Sequence, residues 1–153
     1  MKLARPRIVP ACGLEDTARV PIDDLESAMS SPSAEYQLIP GDTHEFRPTG
    51  ESEGAELTVL WGDLQRGPVG ILFRFRAGYR APMHWHTSDY HAVVLSGKSK
   101  HWIEGEDEPA EGHGPGTYWF QPGKQVHGDF NAGDEPVLIF IYMPNGLDFI
   151  PAQ

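Results

Sequence analysis

Six of the seven histidines in the chain fall between residues 84 and 127, and no other feature of the sequence carries as much chemistry. The tightest pair is His84-Trp85-His86. On a β-strand, residues i and i+2 project from one face, with Cα atoms roughly 6.5–7 Å apart. Two imidazoles so placed can converge on one metal ion, each nitrogen about 2.1 Å from it. A helix would splay them apart, and Pro82 just ahead disfavours a helix at this point. Taken alone, the pair also fits two surface histidines on an edge strand. A Ser/His/Asp hydrolase finds no nucleophile elbow in the sequence. Cys12, the single cysteine, is remote in sequence from the cluster.

A pair of this kind needs strands to hold it. The chain has 17 glycines and 14 prolines spread through its 153 residues. Long helices tolerate neither in their interiors. Short strands joined by frequent turns accept both, so an all-β sandwich or barrel is the expected class. Strand-like stretches recur about every ten residues, at 36–39, 57–61, 71–76, 91–95, 98–104, 117–121 and 136–143. Gly, Pro or Asp breaks most of them off, as in a jelly roll or similar double sheet. Residues 43–48 are polar and ambiguous. The run over 136–143 is the most apolar and is expected to be a central buried strand. Phe73, Phe75, Trp102, Trp119 and Phe120 sit at strand positions and are expected to pack in the core, with a few lent to a pocket.

Length and charge narrow the possibilities further. At 153 residues the chain is one domain's worth, since domains usually run to about 100–150 residues. Residues 1–34, punctuated by four prolines, read as an N-terminal extension that wraps the domain or reaches a neighbouring subunit. Within it residues 22–29 fit two helical turns behind Pro21. The domain proper is expected over 35–153. Twelve Lys+Arg against 22 Asp+Glu leave a formal charge of -10. That balance argues against nucleic acid and against anionic membrane surfaces. No apolar run approaches the ~18–20 residues of a membrane span. The basic start and Val9-Pro10-Ala11-Cys12 resemble a lipoprotein leader, but the apolar stretch between is shorter than the ~7–15 residues of an h-region. An exposed N-terminus and a cytoplasmic location are the expectation.

Reading outward from the histidine pair gives Gly78-x5-His84-x-His86, then Tyr90-x6-Gly97, then Gly116-x5-Pro122 and His127-x3-Asn131. This resembles the two sequence motifs of the cupin superfamily, over about residues 55–143. The first motif in that family reads Gly-x5-His-x-His-x3-4-Glu-x6-Gly, and the second Gly-x5-Pro-x-Gly-x2-His-x3-Asn. The chain departs from them at two places. Counted back from Gly97, the glutamate position carries Tyr90; counted on from His86, it carries His91. Lys124 stands where the second motif has its second glycine, although Gly123 beside it is expected to make the turn. The resemblance implies a cupin jelly-roll barrel with a divalent metal held by His84, His86 and His127 and no glutamate. It is similar to the small three-histidine cupin dioxygenases of the acetylacetone dioxygenase kind, and to cupins fused to anti-sigma factors.

Three imidazoles on one side of an ion leave positions open for water, oxygen or substrate. With no carboxylate, the ion keeps its full double charge, which favours a small, anionic, chelating substrate. Iron(II) is the expected metal, with zinc, nickel, manganese and copper as alternatives, because imidazole suits several of these ions. The expected activity is a non-haem iron dioxygenase acting on a diketone or a phenolic hydroxyketone. A non-catalytic sensing module and a zinc or nickel lyase or isomerase are the rivals. Tyr90, on the count from Gly97, is expected to face the site and orient substrate or water. The continuous run into Gly97 supports that count, since a bulge is easier to place at 87–89. His91 is the alternative fourth ligand. His101 is expected inside the barrel, as a core histidine bonded to a backbone carbonyl or as a pocket residue. His113 and His44 are expected to be solvated. A homodimer is the expected assembly.

Overall fold

The computed structural model describes residues 35–50 and 53–153. The extension over 1–34, its two helical turns and Cys12 lie outside the described residues. Ten short strands follow one another: β1 (Arg47–Pro48), β2 (Ala55–Gly62), β3 (Val69–Phe75), β4 (His84–Trp85), β5 (Tyr90–Ser96), β6 (Lys100–Ile103), β7 (Tyr118–Gln121), β8 (His127–Phe130), β9 (Val137–Met143) and β10 (Ile150–Pro151). They form a six-stranded sheet in the order β1-β2-β3-β9-β5-β7 and a four-stranded sheet in the order β10-β4-β8-β6, with antiparallel pairing throughout. This is the all-β jelly roll expected from the spacing of strands and turns. Residues 36–39 are an exception. They form no strand, and Tyr36, Leu38 and Ile39 are exposed. Strand-like composition over four residues does not make a strand without a ladder partner.

Alternation explains the six-stranded sheet. Val69, Ile71, Phe73 and Phe75 on β3 point inward, as do Val137, Ile139 and Met143 on β9 and Ala92 and Val94 on β5, and all are buried. Burying each large side chain contributes about 1.5–3 kcal/mol relative to exposure. β9 is central, flanked by β3 and β5, but it is not buried on both faces. Its outward residues Leu138, Phe140 and Tyr142 are only half-covered. Phe120, expected in the core, is 48% exposed on the outer face, because its neighbour Trp119 takes the inward position.

The four-stranded sheet has a different interior. Register sets His84 on β4 directly across from His127 on β8, and His101 on β6 across from Asp129. His84, His101, His127 and Asp129 are thereby brought onto one face of one sheet.

Candidate metal centre

His84, His86 and His127 meet inside the barrel. Their ligand nitrogens all lie within 4.8 Å of one another. The ring centroids of His84 and His127 are 4.3 Å apart, those of His84 and His86 5.0 Å, and those of His86 and His127 5.2 Å. Each ring is fixed from behind in the same way. Nδ1 of His84 faces the Pro82 carbonyl at 2.8 Å, that of His127 the Gln125 carbonyl at 3.0 Å, and that of His86 the Asp148 carbonyl. A carbonyl only accepts, so each Nδ1 carries the hydrogen and each Nε2 keeps its lone pair. That arrangement orients imidazoles for a metal. Burial lowers the pKa of all three, that of His127 to about 4, although the nearby Asp129 charge opposes the shift. The rings are therefore held neutral, the form that binds a cation. The donor set suits a divalent ion.

Tyr90 and His91 part company. Tyr90 is buried, its hydroxyl 3.3 Å from His127 Nε2, and Trp119 Nε1 donates to it at 3.4 Å. Burial, reinforced by the Asp129 charge, raises the phenol pKa well above its ordinary value. His91 faces the outer side of the sheet, exposed, with Nδ1 2.9 Å from the Tyr118 hydroxyl. It is not part of the cluster, because adjacent residues on a regular strand point to opposite faces. The pairing of Tyr90, His91, Ala92 and Val93 with β7 is unbroken. The one irregularity of β5 lies between Val94 and Ser96 against β9, nearer Gly97 than the sequence argument placed it.

A buried carboxylate adjoins the histidines. Asp129, two residues after His127 and therefore on the same face of β8, is 7% exposed. Its Oδ2 is 3.9 Å from His84 Nε2. Its Oδ1 accepts from His101 Nδ1 at 2.8 Å, while His101 Nε2 faces Gln121 Oε1 at 2.9 Å. The Gln121 amide nitrogen faces the carbonyls of Pro122 and Gln125, both at 3.3 Å, which leaves its oxygen toward His101. Both ring nitrogens of His101 thus meet acceptors, and both must donate, so the ring is an imidazolium. Burial alone would lower the His101 pKa, but the Asp129 charge and the two hydrogen bonds raise it. Burial would likewise raise the Asp129 pKa, yet the His101 charge and hydrogen bond hold it well below the usual carboxylate range. His101 was expected to bond a backbone carbonyl or line a pocket; its partners are instead two side chains, and Trp119 stacks on it at 4.8 Å. His113 is exposed, as expected.

His84 and His86 of the cluster line a cavity of about 190 Å³. His84, His86, Tyr90 and Asp129 supply its polar end; Phe73, Ile139, Met143, Trp119 and Phe149 are among its apolar lining. Phe149 stacks on His84 at 4.3 Å. Asp148 holds the loop behind His86, accepting from the Thr87 N–H at 2.9 Å and its hydroxyl at 2.6 Å.

With this geometry in hand, comparison with known proteins is decisive at the family level. Residues 35–145 match the family model described as the ChrR cupin-like domain. The chain belongs to that cupin family. The DNA damage-repair/toleration protein DRT102 of Arabidopsis thaliana is 31% identical over 83 residues, which are 54% of this chain and 25% of the Arabidopsis protein. The match thus spans a quarter of that relative's length. Among solved structures, the polyketide cyclase RemF from Streptomyces resistomycificus superposes with a TM-score of 0.62 at 17% identity, covering 78% of this chain and 87% of that one. The DMSP lyase DddQ from Ruegeria pomeroyi gives 0.59 at 17% identity, covering 90% and 80%. KdgF from Halomonas gives 0.57 at 18% identity, covering 71% and 94%. These likenesses establish the cupin fold.

Within this cupin the motif residues divide into the three histidines that could hold a metal and the scaffold around them. Asn131 is fully buried and its side-chain amide reaches the carbonyls of Phe75, Arg76 and Glu135 at 2.9–3.0 Å, tying the end of β8 to β3. Gly97 has φ +75°, and a Cβ there would lie 2.8 Å from the Pro136 carbonyl oxygen. The turn between β7 and β8 corrects the sequence expectation. Lys124, not Gly123, takes the left-handed conformation, at φ 64°. Its N–H donates to the His86 carbonyl at 2.7 Å. Gly123 is needed for space, since a Cβ would meet the Thr87 carbonyl at 2.6 Å. Asp129 and Gln121 escaped the sequence reading. The i+2 rule from His127 was the available signal for Asp129; for Gln121 there was none, because its role depends on a side-chain contact between β7 of one sheet and β6 of the other.

Proposed function

We propose that this cupin is a metal-dependent enzyme, a non-haem iron(II) dioxygenase that acts on a small chelating diketone or phenolic hydroxyketone. The observation that carries the reading is the set of three buried, neutral histidines with unprotonated Nε2 atoms, two of which, His84 and His86, line an apolar cavity. His84, His86 and His127 would hold the ion. Bound there, it would supply Lewis acidity and, if iron, redox chemistry. The chain's own contribution is positioning. Phe73, Ile139 and Met143 offer an apolar wall for the body of an aromatic or alkyl ketone and exclude water from it. Tyr90 holds a phenolic proton beside the three nitrogens, oriented by the Trp119 N–H.

A second reading is favoured by that same phenol. A proton donor and acceptor beside a metal suits a zinc or nickel lyase, cyclase or isomerase, and two of the structural relatives are described as a lyase and a cyclase. The family match keeps a non-catalytic sensing module as the third. One experiment separates them: protein purified without air, analysed for metals, then assayed over a panel of β-diketones and phenolic hydroxyketones. Iron with substrate-dependent oxygen uptake supports the dioxygenase. Zinc or nickel with oxygen-independent turnover supports the second reading, and tightly held zinc with no turnover the module. The expected homodimer is likewise a proposal, tested by light scattering against the 17.0 kDa of one chain.

A further inference from the structure

Asp129 is a buried carboxylate with one oxygen committed and one turned to the cavity. Oδ1 accepts from His101 Nδ1 at 2.8 Å, and Oδ2 lies 3.9 Å from His84 Nε2, too far for a hydrogen bond. The residue lines the same cavity end as His84, His86 and Tyr90. The whole chain of contacts runs Gln125 to Gln121 to His101 to Asp129, and Trp119 stacks on the imidazole. Every member has a buried or half-buried setting. Such a chain has one geometric consequence: the carboxylate cannot rotate away without stripping the His101 imidazolium of its acceptor, which is costly when buried. As a unit the Asp129–His101 pair is neutral, so it leaves the charge of a bound ion in place. Locally, however, it presents an anionic acceptor, and an anionic acceptor discriminates by hydrogen-bonding sense: it attracts a donor and repels a carbonyl or carboxylate oxygen.

We infer that Asp129 is a specificity-determining residue of this site, selecting chelators that carry a free hydroxyl over those that offer only carbonyl and carboxylate oxygens. The proposal rests on the metal reading and narrows it to hydroxy-substituted ligands: an α-hydroxy acid or hydroxyketone binds with its hydroxyl toward Asp129 Oδ2 and its apolar body toward Phe73 and Ile139. The acidic substrate expected from charge alone is thereby restricted by hydrogen-bonding pattern. A purely structural role for Asp129, as a partner for His101, would leave ligand preference unchanged.

Mandelate and benzoylformate test this directly, since the two monoanions share an aromatic body and a carboxylate and differ in a hydroxyl against a carbonyl. Their affinities for cobalt(II)-loaded protein are read from the visible spectrum of the bound cobalt and divided by their affinities for the free ion. The expected corrected preference for mandelate is about tenfold, the scale of one hydrogen bond to a charged group. In Asp129→Asn, whose amide can donate to a carbonyl, the preference shrinks to about threefold or less, or inverts. Equal corrected affinities in the wild-type protein overturn the proposal, whether or not the variant folds. So does a folded Asp129→Asn protein that keeps the wild-type ratio. Folded wild-type protein that takes up no cobalt overturns the metal reading itself, and the proposal with it.

Discussion

The inner faces of the two sheets meet across one cavity but are built from different side chains. The six-stranded sheet contributes Ile71, Phe73, Val94, Ile139 and Met143, side chains that gain from leaving water and have no polar atom to satisfy. The four-stranded sheet contributes His84, His101, His127 and Asp129, each of which costs free energy to bury unless partnered. Partners are present: carbonyls lie behind His84 and His127, and the Asp129–His101 hydrogen bond joins the other two. Among the described residues no fully enclosed side-chain nitrogen or oxygen lacks a partner. The contrast teaches how a small barrel carries a polar site. The six-stranded sheet supplies most of the stabilising core and lends Tyr90 and Gln121 to the site. The four-stranded sheet holds most of the polar groups in fixed directions through cross-strand register, backbone carbonyls and those side-chain partners.

The sharpest way to break this division is to remove a ligand. His84→Ala, His86→Ala and His127→Ala are each expected to weaken metal binding by about 10³-fold, roughly a third of the ~10–16 kcal/mol of a closed zinc site. Competition with a chromogenic chelator measures it, and wild-type affinity in all three would dismiss the centre. Ile139→Ala attacks the other wall. Ile139 is 1% exposed at the middle of β9, so its truncation is expected to cost about 2–5 kcal/mol in urea unfolding, with the metal-to-protein ratio unchanged. A cost below ~1 kcal/mol would mean that the six-stranded sheet does not dominate stability.

Acid probes the polar wall. The folded-state pKa of His127 is about 4 and those of His84 and His86 are lowered too, against about 6.5 in an unfolded chain. Between those values the unfolded chain binds more protons, so the metal-free protein loses stability as pH falls from about 6.5 toward 4, on the order of 3 kcal/mol from His127. The depressed Asp129 acts in the same direction at lower pH. His101, with a raised pKa, acts oppositely: its contribution is complete below the unfolded value and is lost as pH rises through the folded one. Denaturant midpoints of metal-free protein across this range check the sign, and a flat profile would contradict the neutral burial of the ligands. The smallest effect is expected at His91, on the outer face. His91→Ala should move stability by about 0.5 kcal/mol or less. Its metal affinity should stay within about twofold of wild type, and a large loss in an equilibrium metal titration would reverse the assignment of faces on β5.

Much of this was legible in local order. The i, i+2 spacing of His84 and His86 and the apolar alternation of β3 are properties of neighbouring residues, and the strand period converts them into faces. The placement of Tyr90 inward and His91 outward followed from the same period, although the irregularity of β5 fell at Val94–Ser96. Where the reading failed, a distant partner was the reason. Residues 36–39 have the composition of a strand and join neither sheet among the described residues. Phe120 looked like core until β7 took up its register with β5.

Composition, the motif glycines and the spacing of the histidines thus determined by themselves that the chain is an all-β barrel with a cluster of metal-ligand side chains, because turn chemistry and strand period act over a few residues. Only the tertiary structure decided what surrounds that cluster. The Asp129–His101–Gln121 chain joins three consecutive strands, β8, β6 and β7, through residues 28 and 20 positions apart, and no rule of neighbouring residues places them side by side. The carbonyls behind His84 and His127 come from Pro82 and Gln125, two residues upstream, but the one behind His86 comes from Asp148, 62 residues away, and no local rule supplies it. Those decisions belong to packing, where long-range contacts fix directions that sequence spacing leaves open.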